Sequence, residues 1–132
     1  RLMTSSEPWK RTSNPSSFPQ FTKEISPYED LYHLTTYEDW NAAFSVGKYT
    51  KSTRGLDISE VGFIHACYKS QLPIIYKNHF FDLDKVQCMK IDAGSLDIPI
   101  RVEPNSTGEY FPHIYGSIST SSISNIVTYE LH

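Results

Sequence analysis

The sequence predicts an α+β fold, with two short helices packed on small, curved, mainly antiparallel β-sheets. Three observations lead to it. Two segments carry apolar residues at helical spacing, each preceded by a short apolar run that reads as a strand. The last third of the chain breaks into short runs rich in β-branched and aromatic residues, divided by turn residues. The resulting order is strand, helix, strand, helix, then several strands, and strands gathered at one end favour an antiparallel arrangement. At 132 residues, 39% hydrophobic and 14% aromatic, the chain has the apolar surface for one core in one domain, without the help of disulfides or metal.

Residues 1–27 stand apart. They are rich in Ser, Thr and Pro, as in Thr4-Ser5-Ser6-Glu7-Pro8 and Thr12-Ser13-Asn14-Pro15-Ser16-Ser17. Such a composition builds no core of its own. The segment reads as a leader packed on, or tethered to, a domain of residues 28–132, with Trp9, Phe18 and Phe21 as its anchors. Met3 reads as a natural start, with Arg1 and Leu2 ahead of it.

The domain opens with Leu31-Tyr32-His33-Leu34, a short buried strand. Thr35 and Glu38 then have the spacing of a capping box. Trp40, Ala43, Phe44 and Gly47 follow at i, i+3, i+4 and i+7, an apolar stripe with a glycine placed to end the helix. Residues 48–60, with Lys48, Lys51, Ser52, Thr53, Arg54 and Gly55, predict a long exposed loop. Gly62-Phe63-Ile64-His65-Ala66 predicts a second strand. A second helix is expected over about 70–78, with Pro73 in its first turn and Leu72, Ile75 and Tyr76 among its apolar residues. Val86–Ile91, Ile98–Val102, Ile114–Ile118 and Ile126–Leu131 read as strands. Asp92-Ala93-Gly94-Ser95 and Pro104-Asn105-Ser106-Thr107-Gly108 separate them. No internal repeat is present.

Several function classes fall away. The net charge is −3, and with no basic stripe the chain is not expected to bind nucleic acid. No apolar run approaches the roughly 20 residues of a membrane span, and no apolar signal segment is visible. A cytoplasmic protein is expected. Cys67 and Cys88 are too few for a disulfide framework and read as reduced, buried thiols. The Asn105-Ser106-Thr107 triplet fits a glycosylation acceptor, a pattern common by chance.

Chemistry concentrates on histidine. His132 is terminal, and His79 follows a helix whose end it can stabilise. His33, His65 and His113 are different, because each sits among apolar neighbours on a strand: Tyr32-His33-Leu34, Phe63-Ile64-His65 and Phe111-Pro112-His113-Ile114-Tyr115. A strand in a core favours Val or Ile, so each histidine there needs hydrogen-bond partners or a function. Buried structural histidines are the plain alternative. No His-x-His or close pair occurs, so no metal site is expected. Cys67 shares a strand face with His65, but a buried, inert thiol is the commoner case. Arg101 and Glu103 alternate with Ile100 and Val102 and therefore share a face, either as a solvated surface or as an anion-binding Arg beside a carboxylate.

Taken in order, Tyr32-His33, Trp40, Ala43, Gly47-Lys48-Tyr49, Gly62-Phe63-Ile64-His65, Phe80-Phe81, Ile91-Asp92, Arg101-Val102-Glu103-Pro104 and Phe111-Pro112-His113-Ile114-Tyr115-Gly116 resemble the bacterial family catalogued as domain of unknown function 952. The resemblance covers about residues 31–131. It implies a fold similar to that of the ADP-ribosyltransferases, which bind NAD between two small β-sheets. On that footing His33 matches a first-strand ligand-binding residue, His65 a second, and the segment His113 to Tyr115 a third. Two departures bear on NAD. Val61, not an acidic residue, precedes the Gly-Phe-Ile-His string, and Ala66-Cys67 follow it where the family has Ser.

Three functional readings result. The first is a protein that binds a small molecule such as NAD or ADP-ribose in a histidine-lined cleft, with transfer or hydrolysis at the glycosidic bond. The second is a cofactor-independent isomerase or cyclase using His65 and His113 as acid and base. The third is a non-catalytic binding or interaction module. The site expected under the first two has His65 and His113 as catalytic groups, with His33, Tyr32, Tyr115, Arg101 and Glu103 around the ligand.

Overall fold

A computed structural model describes residues 29–130. The leader with Trp9, Phe18 and Phe21, and the terminal His132, lie outside the described residues. The fold is α+β, with few helices and several small antiparallel sheets.

The order of elements begins with β1 (Asp30–Thr35), α1 (Tyr37–Val46), β2 (Lys48–Tyr49), β3 (Lys51–Thr53) and β4 (Leu56–Asp57). The short α2 (Ile58–Val61), β5 (Ile64–His65), and α3 (Leu72–His79) follow, α3 being entered through a 3-10 turn at Lys69–Gln71. The chain continues through β6 (Val86–Asp92), β7 (Ile100–Pro104), β8 (Tyr110–Ile114), β9 (Ile118–Ser119) and β10 (Ile123–Tyr129). Two three-stranded sheets dominate, ordered β1-β6-β10 and β5-β8-β7, with every pairing antiparallel. They meet where the backbones of Tyr32 and Cys67 exchange two hydrogen bonds of 2.8 Å.

The β1-β6-β10 sheet is covered on both faces, as its strand alternation requires. Leu31, Met89 and Ile91 enter one core with Ala43, Tyr49, Ile64, Ile100 and Ile114, against which Trp40 packs. Leu34, Val86 and Cys88 enter a second core with Cys67, Phe111, Phe80 and the α3 residues Leu72 and Tyr76. Cys67 and Cys88 are buried free thiols, which burial pushes up to about 12 and about 11.

Several local expectations shift. The cap of α1 is Thr36, whose side chain accepts from the Asp39 backbone N–H at 3.1 Å. Thr35 instead ends β1, buried. Phe44 is 67% exposed while Ala43 is buried, because consecutive helix residues lie about 100° apart and the inward edge stops at Ala43. Gly47 does end α1, at φ 89°, in the left-handed region glycine tolerates best.

Residues 48–60 are not a long loop. They form β2, the β3-β4 hairpin and α2, which opens with a capping box of Asp57 and Glu60. Strands of two or three residues are too short to leave a periodic signal. The strand expected at Ile114–Ile118 runs instead from Tyr110 to Ile114, with Ile118–Ser119 a separate short strand. Pro112 argues against a central strand, yet β8 is central. Its carbonyl accepts from Ala66 N at 3.0 Å, so the missing N–H also lies on the β5 side and costs no bond to β7. The last strand starts at Ile123, earlier than expected, with an irregular register between Ile123 and Asn125. That extra residue lets isoleucines three apart both turn inward.

Candidate functional site

The register of β5, β8 and β7 sets His65 opposite His113, and His113 opposite Arg101. Directly opposed residues share a face, so the three side chains form one rung. Two positions along, the same face carries Phe63 and Tyr115 on one side of this rung and Glu103, opposite Phe111, on the other. The adjacent Ile64, Ile114 and Ile100 point to the opposite face, into the first core, and fix the strands. Farther along the same strands lie Cys67 and Phe111, buried in the second core. Apolar packing thus closes one end of this face on the Cys67 and Phe111 side chains, and the polar half comprises the His65–His113–Arg101 rung with Tyr115 and with Glu103, which reaches back to His113 from the position opposite Phe111.

The polar half is tightly assembled. The His65 and His113 ring centroids are 5.4 Å apart, edge to face. Phe63 stacks on His113 at 4.0 Å and tilts against His65 at 4.8 Å and Tyr115 at 5.2 Å. Oε1 of Glu103 accepts from Nδ1 of His113 at 2.7 Å and from the Tyr115 hydroxyl at 2.6 Å. The carboxylate therefore places the His113 proton on Nδ1 and leaves Nε2 with a lone pair. The His113 side chain is 8% exposed, Glu103 23% and Arg101 24%, while His65 is exposed.

Charge is held low here. Burial pulls the His113 imidazole down, against the upward pull of Glu103. Burial also lowers His65, with the neighbouring His113 adding to it. Burial raises the Tyr115 phenol, and the Glu103 carboxylate raises it further. At neutral pH both imidazoles are neutral. His65 Nδ1 lies 3.1 Å from the Ser52 hydroxyl, which can donate or accept, and 3.4 Å from the Ser52 carbonyl. Neither Nε2 has a hydrogen-bond partner among the described residues.

The other expected residues fall elsewhere. His33 is buried, and both ring nitrogens are engaged within the protein. Nδ1 donates to the backbone carbonyl of His65, and Nε2 lies 2.9 Å from the Tyr49 hydroxyl. That hydroxyl is 2.7 Å from Thr35 Oγ1. Burial pulls His33 down to about 4, so the ring is neutral and serves as a strut beneath His65. Tyr32 packs on the second core, its backbone paired with that of Cys67. Three residues at the site escaped the sequence reading. Ser52 lay within the supposed loop, and Tyr49 lay in a two-residue strand. Phe63 sits two positions before His65, and the period of the strand could have found it.

Among the described residues, no group of three His, Cys, Asp or Glu side chains is placed to hold a metal ion. No helix among them is long and apolar enough to cross a membrane. A separate surface pocket lies between α1 and the strands that follow, lined by Asp39, Val46, Lys48 and Lys51 among others.

Fold and site together define a small α+β protein in which a carboxylate-oriented histidine faces a second histidine across a sheet rung. The chain belongs to the family described as "Protein of unknown function (DUF952)", whose model matches residues 34–126. Its fold is similar to the crystal structure of protein CC0527 from Caulobacter crescentus, with a TM-score of 0.68 and 21% identity, covering 78% of this chain and 88% of that one. A double mutant of CC0527 has the same TM-score and coverage at 20% identity. No curated protein matches.

Proposed function

We propose that the protein binds a small molecule on the polar half of the β5-β8-β7 face and moves a proton on it without a cofactor. The observation that carries this reading is the hydrogen bond from His113 to Glu103, beside a second imidazole at 5.4 Å between ring centroids. A carboxylate behind Nδ1 fixes the tautomer and supports the charge that forms when Nε2 accepts a proton. His113 is then the base. With the Ser52 hydroxyl donating into His65 Nδ1, one of the two directions that contact allows, His65 takes the opposite tautomer, with Nε2–H as the acid. Neutral imidazoles near their working pH suit both roles. Isomerisation or cyclisation of a small intermediate is the reaction class.

A nucleotide ligand is the second reading. It draws support from the two three-stranded antiparallel sheets joined at Tyr32 and Cys67, an arrangement that fits an ADP-ribosyltransferase-like fold. It requires His33 to surrender its bonds to His65 and Tyr49, or the ribose to find another partner. One experiment separates the readings. A metabolite panel that includes NAD and ADP-ribose is screened by thermal shift against the wild type, His113→Ala and Glu103→Gln. Acid–base function predicts hits that bind at least tenfold more weakly to both variants, about 1.4 kcal/mol. NAD or ADP-ribose at a hundredfold excess over Kd stabilises by about 2.7 kcal/mol if it binds the native state alone. Hits indifferent to both variants would count against the proposed site.

A further inference from the structure

We propose that Arg101 makes this face an oxyanion site, so that the ligand is a small molecule with a carboxylate or phosphate head held beside His113. The inference rests on the reading of the His65–His113 face as a small-molecule site, and it names the ligand class.

The described residues contain two arginines in contrasting states. Arg54 is satisfied. Its Nη1 and Nη2 bond the two oxygens of Asp82 at 2.6 and 2.9 Å, and Nη1 also reaches the His79 carbonyl at 3.2 Å. Arg101 has no such set. Its Nε is buried and has no hydrogen-bond partner among the described residues. Glu103 Oε2 lies 3.8 Å from Nε, close enough for attraction and too far for a hydrogen bond. The guanidinium carbon lies 6.0 Å from the centre of the Tyr115 ring, a contact that steadies the head without using its N–H groups.

Glu103 does not close this gap, because its other oxygen already accepts from His113 and Tyr115. A turn toward Arg101 breaks those two short bonds. The carboxylate is committed to the histidine, and the guanidinium keeps its donors. A buried N–H left unpaired is a standing cost, and an oxyanion at that spot removes it. The planar fork suits two coplanar oxygens, as a carboxylate or phosphate presents. Arg101 stands directly opposite His113 in register, so a ligand anchored through its anionic head brings neighbouring atoms toward His113 Nε2. The substrate class is therefore a small carboxylic acid or phosphate ester whose labile proton lies close to that head.

The test follows the Nε–H signals of Arg101 and Arg54 in the 15N-labelled full chain. Inorganic phosphate and succinate are titrated separately against sodium chloride at matched ionic strength. A saturable shift of Arg101, with Arg54 unmoved, is expected. Tighter binding of phosphate assigns a phosphate ester, and tighter binding of succinate a carboxylic acid. Arg101→Lys keeps the charge, loses the fork and should bind at least tenfold more weakly, while Arg101→Gln should not saturate at all. Drift of both arginines with chloride alone, or wild-type affinity in folded Arg101→Gln, overturns the inference. The wild-type titration decides the matter where a variant fails to fold. His113→Gln keeps this result separate from the acid–base reading. Anion binding retained in His113→Gln supports the oxyanion site even where no proton transfer is found. Proton transfer by the wild type on a ligand with no anionic head overturns the oxyanion site and leaves the acid–base reading standing.

Discussion

Stability should fall between pH 6.5 and pH 4 because of His33, and the replacement His33→Asn should remove that part of the fall. His33 is fully enclosed, and burial pulls it from 6.5 down to about 4. Its Nδ1 faces a backbone carbonyl, which only accepts, so the neutral ring carries its hydrogen there. Nε2 lies against the Tyr49 hydroxyl, which donates to Thr35 Oγ1, and Thr35 in turn faces the Thr36 carbonyl at 3.5 Å. Protonating His33 places a charge on a ring shut off from water, and that loss of solvation is the largest cause of its lowered value. The buried ring therefore resists its second proton, while the unfolded chain accepts one near pH 6.5.

The sign follows. A depressed folded-state value gives stability that is fully present above 6.5 and lost progressively as the pH falls to about 4. Over that window the loss from this residue is about 3 kcal/mol. Asparagine keeps a donor toward the His65 carbonyl and cannot titrate. It leaves Tyr49 without its partner, at about 1–3 kcal/mol near neutral pH. The two proteins should therefore differ at pH 7 and converge or cross by pH 4. Urea unfolding at half-unit pH steps measures both curves. His65, His113 and the carboxylates titrate in both proteins, so the difference between the curves isolates His33. Parallel curves across the whole window would refute a neutral, buried His33.

Other outcomes are open to measurement. Glu103→Gln should lower the His113 titration midpoint further, because the carboxylate now holds it up; ring-proton NMR against pH reads this, and an unmoved midpoint contradicts the hydrogen bond. Tyr49→Phe deletes the hydroxyl between His33 and Thr35 and should cost about 1–3 kcal/mol in urea unfolding; wild-type stability would show the chain to be incidental. Gly47→Ala places a side chain at φ 89° and should cost about 1 kcal/mol, whereas an unchanged urea midpoint would mean that the helix end had rearranged. Cys67 and Cys88 should resist a thiol reagent at pH 8 in the native state and react in urea, given thiols raised to about 12 and about 11; rapid labelling of the folded protein would show that one of them is accessible.

The sequence made the strand faces legible and left the tertiary pairing hidden. Alternation alone put Arg101 and Glu103 on one face and Ile100 and Val102 on the other, and β7 keeps that arrangement. Nothing in the sequence said that β8 would lie between β5 and β7, because pairing depends on register between distant segments. The same limit applies to His33. Its apolar setting was visible, but its partners are Tyr49 and the His65 carbonyl, which no local pattern connects. The supposed loop at 48–60 failed for another reason. Hydroxyl and basic residues suggest solvent, yet Ser52 is wholly buried, its hydroxyl paired with His65.

These connections explain why the two site histidines are not equivalent. His113 is held on one side by Phe63, on another by Glu103, and by the strands on both flanks. Its ring has little freedom, and its free Nε2 has a fixed direction. His65 is exposed, and its hold is different. Its carbonyl is bound by His33 and its ring by Ser52 on the β3-β4 hairpin. That hairpin is in turn pinned to the segment after α3 by the Arg54–Asp82 pair. An exposed ion pair of this kind contributes little to stability. Its effect is positional, since loosening it frees Ser52 and with it the tautomer of His65. Breaking the pair with Asp82→Asn should therefore leave the unfolding midpoint nearly unchanged, yet alter the 15N shifts of the His65 ring and not those of His113. A change in both rings, or in neither, would mean that the hairpin does not set the His65 tautomer.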